Sequence, residues 1–430
     1  MKILAIGNSF SEDALTYLPE IALASGADLD LYHLVIGGSS LEQHWRNAQR
    51  NTPVYTFIRK YENGFSKSEQ TLEDGLRYTD YDYVVVQQVS GQSGIQESYE
   101  PFLSELIEYV RGFQADATLM IHQTWAYEKD STHADFPRYD SDQGKMHQAV
   151  IEAVANVSQA HGLNIIPCGV AVHKARENER FDIEKGGVSL CCDGYHMSDT
   201  GRVLLGLVWN GIFTGKKAQD FVYNNDNVSE SDMQILKNSA DYAVDLYHGE
   251  WITEVSLTGK GTIQVLQNDA VRSDTVSLTV ARRNGKTDMI ALDLLAGIDT
   301  SIIGKHEQKF FYWNKQFTVM IDVLSHEKVD AMIENIASVV RFPNVNDIKL
   351  LLEEYEILTD AEKQGVTNYA DLLALKQQYL DNDSDNKNGA GSGGKLSGGE
   401  LAAIIGGSMG LLAVIAIISV ALIKKKRKTI

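Results

Sequence analysis

Short apolar runs alternate with segments of helical spacing from the N-terminus to about Lys216. The apolar runs predict strands at Lys2–Ile6, Leu29–Val35, Tyr83–Val86, Thr118–Ile121 and Leu163–Pro167. The spacing of apolar residues predicts helices at Ser11–Ser25, Tyr99–Gly112, Lys145–His161 and Gly201–Phe213. This alternation predicts an α/β domain over residues 1–218, with a doubly wound parallel sheet covered by helices on both faces. In such sheets the functional site lies beyond the carboxyl ends of the strands.

The pattern changes after residue 218. A connecting loop and helix are expected at residues 219–250, followed by short alternating runs that predict a small β-sandwich at residues 251–324. Asn284-Gly285 separates two of these runs and is a strong hairpin signal. Helical spacing returns at residues 325–380 and predicts a short three-helix unit. Residues 381–400 are rich in Gly, Ser, Asn and Asp and have the composition of a flexible linker.

The end of the chain predicts a membrane anchor. Leu401–Ile423 is uncharged and mostly apolar, which is long enough for a transmembrane helix, and the cations of Lys424–Lys428 follow at once. Such a flank stays cytoplasmic, so residues 424–430 form a basic tail and the α/β domain is expected outside the cell in a single-pass membrane protein. The first residues do not resemble a signal peptide. An incomplete start, unconventional export or an inward-facing tail anchor remain open.

Composition narrows the classes of function. The 430 residues include 39 Lys and Arg against 58 Asp and Glu, for a net charge of −19, which argues against binding to nucleic acid. Three cysteines, at 168, 191 and 192, argue against a disulfide framework or a cysteine zinc site. The histidines show no metal-ligand spacing. We therefore expect neither a metal nor a cofactor.

Two short segments contain candidate catalytic residues. Ser9 follows the first predicted strand, where a turn into a helix exposes a side chain and its backbone N–H. An N-cap role is the alternative reading, and it suits Ser11 better than Ser9. Near the end of the α/β region, Asp193 precedes His196 by three residues, so that the carboxylate can hold one side of the imidazole. Both segments belong to the same predicted sheet edge.

These two segments resemble blocks of the SGNH (GDSL-like) hydrolases. Gly7-Asn8-Ser9-Phe10-Ser11 resembles the first block of that family, and Asp193–Ser198 resembles its last block, D-x-x-H-x-S. The resemblance covers about residues 1–216 and implies a flavodoxin-like three-layer fold. It also implies that Ser9 is the nucleophile, His196 the general base and then acid, and Asp193 the orienting carboxylate.

The middle blocks depart further from the family. Ile36–Trp45 resembles a stretch of sialate and acetyl esterases, which implies Gly38, or else Gly37, as an oxyanion-hole donor. The usual Asn of the third block is missing after the strand at Tyr83–Val86. A glutamine amide or the Ser90 hydroxyl is then the expected donor, and Gln88 is preferred.

Two further residues are expected to bind substrate. Asn8 replaces the usual Asp of the first block. Trp125, with Tyr127, follows a predicted strand and either forms a stacking wall for a sugar ring or belongs to the core.

The C-terminal half resembles modules of bacterial surface proteins. Asn284–Asp288, Gly297–Ser301 and Phe317–Val319 resemble bacterial Ig-like domains, whereas Leu358–Lys363 and Val366–Leu372 resemble helical modules of Gram-positive surface proteins. Taken together, the sequence predicts a membrane-anchored serine esterase that removes acyl groups, acetyl above all, from carbohydrate or another small ester. The alternative is a cell-surface carbohydrate-binding or adhesive protein whose SGNH-like domain has little or no activity.

Overall fold

The computed structural model describes residues 1–60, 64–259, 261–271, 276–292 and 298–381. The chain forms two compact units, of which the first is Met1–Leu324 and the second begins at Ser325. The first unit contains an α/β domain and a smaller all-β part.

The α/β domain is built on a seven-stranded sheet with the order β4-β3-β2-β1-β5-β6-β7. Its strands are β1 Lys2–Gly7, β2 Asp30–Val35, β3 Tyr55–Lys60, β4 Phe65–Gln70, β5 Tyr83–Val86, β6 Thr118–His122 and β7 Asn164–Ile166. Its helices are α1 Ser9–Leu15, α2 Leu18–Ala24, α3 Leu41–Arg50, α4 Leu72–Leu76, α5 Phe102–Arg111, α6 Gln143–His161, α7 Cys168–Arg176, α8 Asp199–Thr214 and α9 Glu230–Tyr247. The central strands are almost fully buried, as expected for a sheet covered on both faces.

The predicted parallel sheet is confirmed for β1, β2, β5, β6 and β7, which pair in parallel. It is wrong for one edge, because β3 pairs antiparallel with β2 and β4 pairs antiparallel with β3. The outer strand β4, FSKSEQ, is polar and largely exposed. An edge strand with one open side needs no apolar alternation, so its sequence gives little strand signal.

The predicted helix Ser11–Ser25 is two helices. Helix α1 begins at Ser9, and α2 begins at Leu18 with Pro19 in its first turn. Proline lacks an N–H group and is favoured at the first helical positions, so a second helix starts there. The earlier start of α1 brings Ser9 onto the first position of a helix.

Helix α9 belongs to the α/β domain, whereas the sequence placed it in a connecting segment. Its buried residues Met233, Leu236, Ala240 and Val244 are part of the same hydrophobic core as the central strands. The apolar residues recur at three- and four-residue intervals, which gives α9 one face to bury. The α/β domain therefore extends beyond residue 218.

In its described residues, the all-β part has two three-stranded sheets, with the orders β11-β10-β8 and β12-β13-β9. Its strands are β8 Ile252–Gly259, β9 Thr262–Leu266, β10 Val276–Arg282, β11 Thr287–Ala291, β12 Gly304–Tyr312 and β13 Lys315–Leu324. Residues from both sheets form one hydrophobic cluster. The hairpin predicted at Asn284-Gly285 joins β10 and β11, and Gly285 has the positive φ of 83° that this turn requires.

The all-β part contacts the α/β domain at the amino ends of the parallel strands. Ile252 N donates to Oδ1 of Asn164, the first residue of β7 (3.0 Å). The turn between β12 and β13 inserts beside the end of α6, where Trp313 N donates to the His161 carbonyl (2.9 Å). Trp251 also lies beside Tyr83, the first residue of β5, with ring centroids 6.1 Å apart. The carboxyl ends of the parallel strands lie at the opposite edge of the sheet.

In the described part of the second unit, four α-helices follow one another: α10 Glu327–Arg341, α11 Val345–Ile357, α12 Asp360–Gly365 and α13 Tyr369–Lys376. Val329, Ile336, Ile348 and Leu372 are among its buried residues. Thr359 and Glu362 form a capping box at the start of α12. The short α12 was not separated from its neighbours in the sequence.

Among the described residues, no helix is both long enough and apolar enough to span a membrane. The linker predicted at residues 381–400 lies outside the described residues apart from Asp381. The predicted span Leu401–Ile423 and the basic tail at 424–430 lie entirely outside them. Both remain predictions.

Candidate active site

Ser9 lies at the turn from β1 into α1 and is partly exposed. Asn8 caps the helix, because its Oδ1 accepts the Phe10 N–H (3.0 Å). The turn is tight, since a Cβ on Gly7 would lie 2.5 Å from the Ser11 hydroxyl. Glycine is therefore required before the turn, and the packing holds Ser9 at the carboxyl edge of the sheet.

The segment between Leu190 and Ser198 folds back on itself before α8. Ser198 N donates to the Leu190 carbonyl, and Cys192 N donates to the His196 carbonyl, each at 2.9 Å. Gly194, at the bend, has a φ of 87°, which favours glycine. This closed turn directs His196 toward α1 and fixes Asp193 beside it.

The structure brings Ser9, His196 and Asp193 together, as the sequence predicts. His196 Nε2 lies 2.9 Å from Ser9 Oγ, and His196 Nδ1 lies 2.7 Å from Asp193 Oδ2. An ionised carboxylate only accepts hydrogen bonds, so it selects the tautomer with the proton on Nδ1. Nε2 then accepts the Ser9 hydroxyl proton, which is the arrangement of a serine nucleophile with its base.

Asp193 is held in its ionised form. Partial burial is the largest influence and raises its pKa, but hydrogen bonds from the His196 ring and from the backbone N–H groups of His196 and Tyr195 together outweigh it. The net effect is a pKa below the usual range for aspartate. The carboxylate is therefore charged at neutral pH and able to stabilise an imidazolium.

Asp13 links helix α1 to the turn that contains His196, a contact that was not predicted from the sequence. Its Oδ2 accepts the Met197 N–H (2.8 Å), and its Oδ1 accepts from Arg202 Nε (2.8 Å). Asp13 is only 3% exposed, and burial raises its pKa despite these partners. An acidic residue between the apolar Phe10 and Ala14 on the buried face of α1 was the available signal.

Trp125 does not line the site, so the expected stacking wall is wrong at this position. Its side chain is fully buried, stacks on Phe10 with ring centroids 4.2 Å apart, and donates from Nε1 to the Tyr195 carbonyl (2.8 Å). Trp125 therefore supports the turn that holds His196. Tyr127 is also fully buried, and its hydroxyl lies 2.9 Å from Ser90 Oγ.

Asn8 is likewise buried, at 1% exposure, and does not reach a substrate. Its Nδ2 donates to the Ser39 carbonyl (2.9 Å), and its Oδ1 also accepts from Gln87 Nε2 (2.6 Å). Gln87 Oε1 in turn lies 3.0 Å from His122 Nδ1. Asn8 thus joins the turn that contains Ser9 to the loop after β2, which corrects its expected role in binding.

Gln88 is not an oxyanion donor in this structure. Its Nε2 donates to both the carbonyl (2.9 Å) and the hydroxyl (3.1 Å) of Ser98, and its Oε1 accepts from Leu41 N and Val89 N. The amide is 1% exposed. Every polar atom of this side chain is engaged, so Gln88 fastens the loop after β5 to the start of α3 and has no donor to offer.

Gly38 lies in an exposed loop after β2. It has a φ of 66°, and nothing lies within 4 Å of the position that a Cβ would occupy. Positive φ and free space allow a substrate to approach its backbone closely. Gly37 has the same open surroundings.

Tyr195 is a partly exposed aromatic residue beside His196. Its ring centroid lies 4.3 Å from that of His196 and 4.6 Å from that of His133. In the described part of the chain, no three His, Cys, Asp or Glu side chains are grouped so that they could hold a metal ion.

Comparison with curated proteins gives no match. Among solved structures, a DUF4886 family protein from Bacteroides uniformis is 33% identical, with 57% of this chain and 94% of that chain covered at a TM-score of 0.54. A putative SGNH hydrolase from Slackia heliotrinireducens is 20% identical over 49% of this chain and 97% of that chain, with a TM-score of 0.33. Axe2, an acetylxylan esterase from Geobacillus stearothermophilus, is 12% identical over 48% of this chain and 91% of that chain, with a TM-score of 0.32.

The likeness to the Bacteroides protein agrees with a match to a family model. That model, described as a domain of unknown function (DUF4886), covers residues 2–243, from β1 into the C-terminal part of α9. The match includes Ser9, Asp193 and His196 and spans more than half of the chain. The chain belongs to the DUF4886 family.

Proposed function

We propose that the α/β domain is a serine esterase. The observation that carries the proposal is the hydrogen-bonded chain from Ser9 Oγ through His196 to Asp193, with distances of 2.9 and 2.7 Å. A hydroxyl, a neutral imidazole and a carboxylate in this order are the parts that acyl transfer through a serine requires.

In the proposed reaction, Ser9 Oγ attacks the ester carbonyl carbon while His196 Nε2 takes the hydroxyl proton. The tetrahedral oxyanion is stabilised by the backbone N–H groups of Ser9 and Gly38. The intermediate collapses to an acyl-enzyme, and His196 returns the proton to the departing alcohol. Water, deprotonated by His196, then releases the carboxylic acid and restores Ser9. The reaction needs no cofactor.

The proposed substrate is an acetyl or similar short acyl ester on carbohydrate. The loop with Gly37 and Gly38, whose sequence resembles that of acetyl esterases, has nothing within 4 Å of either Cβ position, so a ligand can approach its backbone. Tyr195, partly exposed beside His196, is the aromatic ring on which a sugar can stack. We also propose that residues 401–423 anchor the chain in the cell membrane with the active site outside.

A second candidate function is carbohydrate binding or adhesion at the cell surface with little catalysis. It is favoured by the glutamines after β5, because the amides of both Gln87 and Gln88 are engaged within the protein. An oxyanion hole without a side-chain donor would be weaker, and removing one such donor from other hydrolases lowers kcat by about 10²–10³-fold.

One experiment distinguishes the two functions. The purified chain is treated with a fluorophosphonate probe and assayed on acetylated xylo-oligosaccharides and 4-nitrophenyl acetate, with the Ser9→Ala variant alongside. Labelling and acetate release that both disappear in Ser9→Ala support the esterase. Binding of the same sugars with neither labelling nor acetate release would refute it and favour adhesion.

A further inference from the structure

A buried chain of hydrogen bonds supports the loop that contains Gly38. Ser39 Oγ lies 2.8 Å from His44 Nε2, and His44 Nδ1 lies 2.8 Å from the Tyr55 hydroxyl. Ser39 and Tyr55 are fully buried and His44 is 1% exposed. The chain runs from β3 through α3 to the loop after β2.

Each donor in this hydrogen-bond chain finds an acceptor when the protons are donated from Tyr55 through His44 to Ser39. Burial lowers the pKa of His44 to about 4, so its ring is neutral at physiological pH. If Tyr55 donates its single hydroxyl proton to Nδ1, the Nε2–H of His44 donates to Ser39 Oγ. Ser39 can then donate its own proton to the Ile36 carbonyl, 2.9 Å away. With this tautomer no donor in the chain is left unpaired.

Ser39 is also the point where this chain meets the nucleophile turn. Its carbonyl accepts from Asn8 Nδ2 (2.9 Å), and Asn8 directly precedes Ser9. Gly37 and Gly38 are exposed, with open space around them. The orientation of these glycines is therefore set by their neighbours in the chain, and Ser39 is the neighbour with the most hydrogen bonds.

We propose that His44 and Tyr55 are positioning residues that hold the Gly38 N–H in register with Ser9, acting through the Ser39 hydroxyl. The proposal rests on the esterase function above. Both side chains are too deeply buried to touch a substrate, so their effect on the reaction passes through the loop. Oxyanion stabilisation depends on donors placed in advance of the reaction, and a small displacement weakens it.

The test removes one buried hydroxyl in the full chain. Tyr55→Phe should lower kcat on 4-nitrophenyl acetate by about tenfold, less than the loss of a whole oxyanion donor, and leave KM within about twofold. Fluorophosphonate labelling of Ser9 should slow in parallel, because it forms the same negative oxygen. Tyr81→Phe is the matched control, since its buried hydroxyl also makes a 2.8 Å hydrogen bond, to the Gly75 carbonyl, away from the loop.

A second variant separates positioning from general stability. Ser39→Ala should reproduce the loss in kcat, and the double variant Ser39→Ala/Tyr55→Phe should lose little more, because both changes break the same chain. The proposal would be overturned if Tyr55→Phe and Tyr81→Phe had equal kcat values, or if the KM of Tyr55→Phe rose in proportion to its loss of kcat. Either outcome would leave the proposed esterase function intact. A wild-type chain without Ser9-dependent hydrolysis would overturn both.

Discussion

Replacing Asp193 by asparagine is a sharp test of the triad, because the two carboxylate oxygens have different partners. Oδ1 accepts the backbone N–H groups of Tyr195 (3.1 Å) and His196 (2.8 Å), and Oδ2 accepts from the imidazole (2.7 Å). Asparagine has one oxygen. If that oxygen keeps the backbone partners, its NH₂ group faces His196 Nδ1 and selects the tautomer with the proton on Nε2, which cannot accept a proton from Ser9.

The opposite orientation of the asparagine is disfavoured by the same contacts. It would point the NH₂ group at two backbone donors and lose two hydrogen bonds, which costs about 2 kcal/mol in all. The unproductive orientation is therefore preferred by roughly 30-fold. The imidazolium also loses its ionised partner. We expect kcat of Asp193→Asn to fall by about 10³–10⁴-fold, as in other triads.

The assay measures initial rates of 4-nitrophenyl acetate hydrolysis by the full chain, together with thermal unfolding. Asp199→Asn is the control, because it removes a nearby carboxylate that pairs with Arg202 and does not contact His196. The control should keep its kcat. A loss below about tenfold in Asp193→Asn, far from that of other triads, would show that another group orients the histidine.

Three further outcomes are expected. Trp125→Phe removes one hydrogen bond and leaves a small cavity in the core, so it should lower the free energy of unfolding by about 2–3 kcal/mol in urea titrations. KM for acetylated sugars should stay unchanged, and a raised KM would support the stacking wall. Burial lowers the pKa of His33 and His122 to about 3, so below pH 6.5 the unfolded chain binds protons that the folded chain does not, and stability falls with falling pH. Between pH 5.5 and 4.5, each of these two histidines contributes about 1.4 kcal/mol to the fall in the free energy of unfolding. In His122→Gln the free energy of unfolding should therefore depend less steeply on pH. Protease treatment of intact cells should cleave the α/β domain, whereas cleavage only after lysis would place it inside.

The meeting of Ser9, His196 and Asp193 could be predicted because it depends on chain topology. Ser9 follows β1, and Asp193 and His196 precede α8, so a parallel sheet brings them to one edge whatever the loops do between them. The central strands are buried on both faces and give continuous apolar runs that the sequence shows plainly. The antiparallel β3 and β4 lie at the sheet edge and show no such pattern.

The surroundings of the triad could not be predicted because they depend on which way each side chain turns. Asn8, Gln88 and Trp125 all follow strand ends at the correct edge, yet each turns inward toward hydrogen-bond partners that are distant in sequence. The residue type at a strand end does not show whether the side chain faces solvent or the protein. Only the folded chain shows that these residues support loops.

The docking of the all-β part at the amino ends of β5 and β7 has a consequence for the access of large molecules to Ser9. The turn at Trp313 contacts the α/β domain, and β13 then carries the chain away for ten residues, about 33 Å, to Leu324. Within the first unit, Leu324 therefore lies at the end of β13 that is remote from the α/β domain, and Ser9 lies at the sheet edge opposite the docked all-β part. Within the first unit, the all-β part should therefore leave the approach to Ser9 open to polymers as bulky as a polysaccharide.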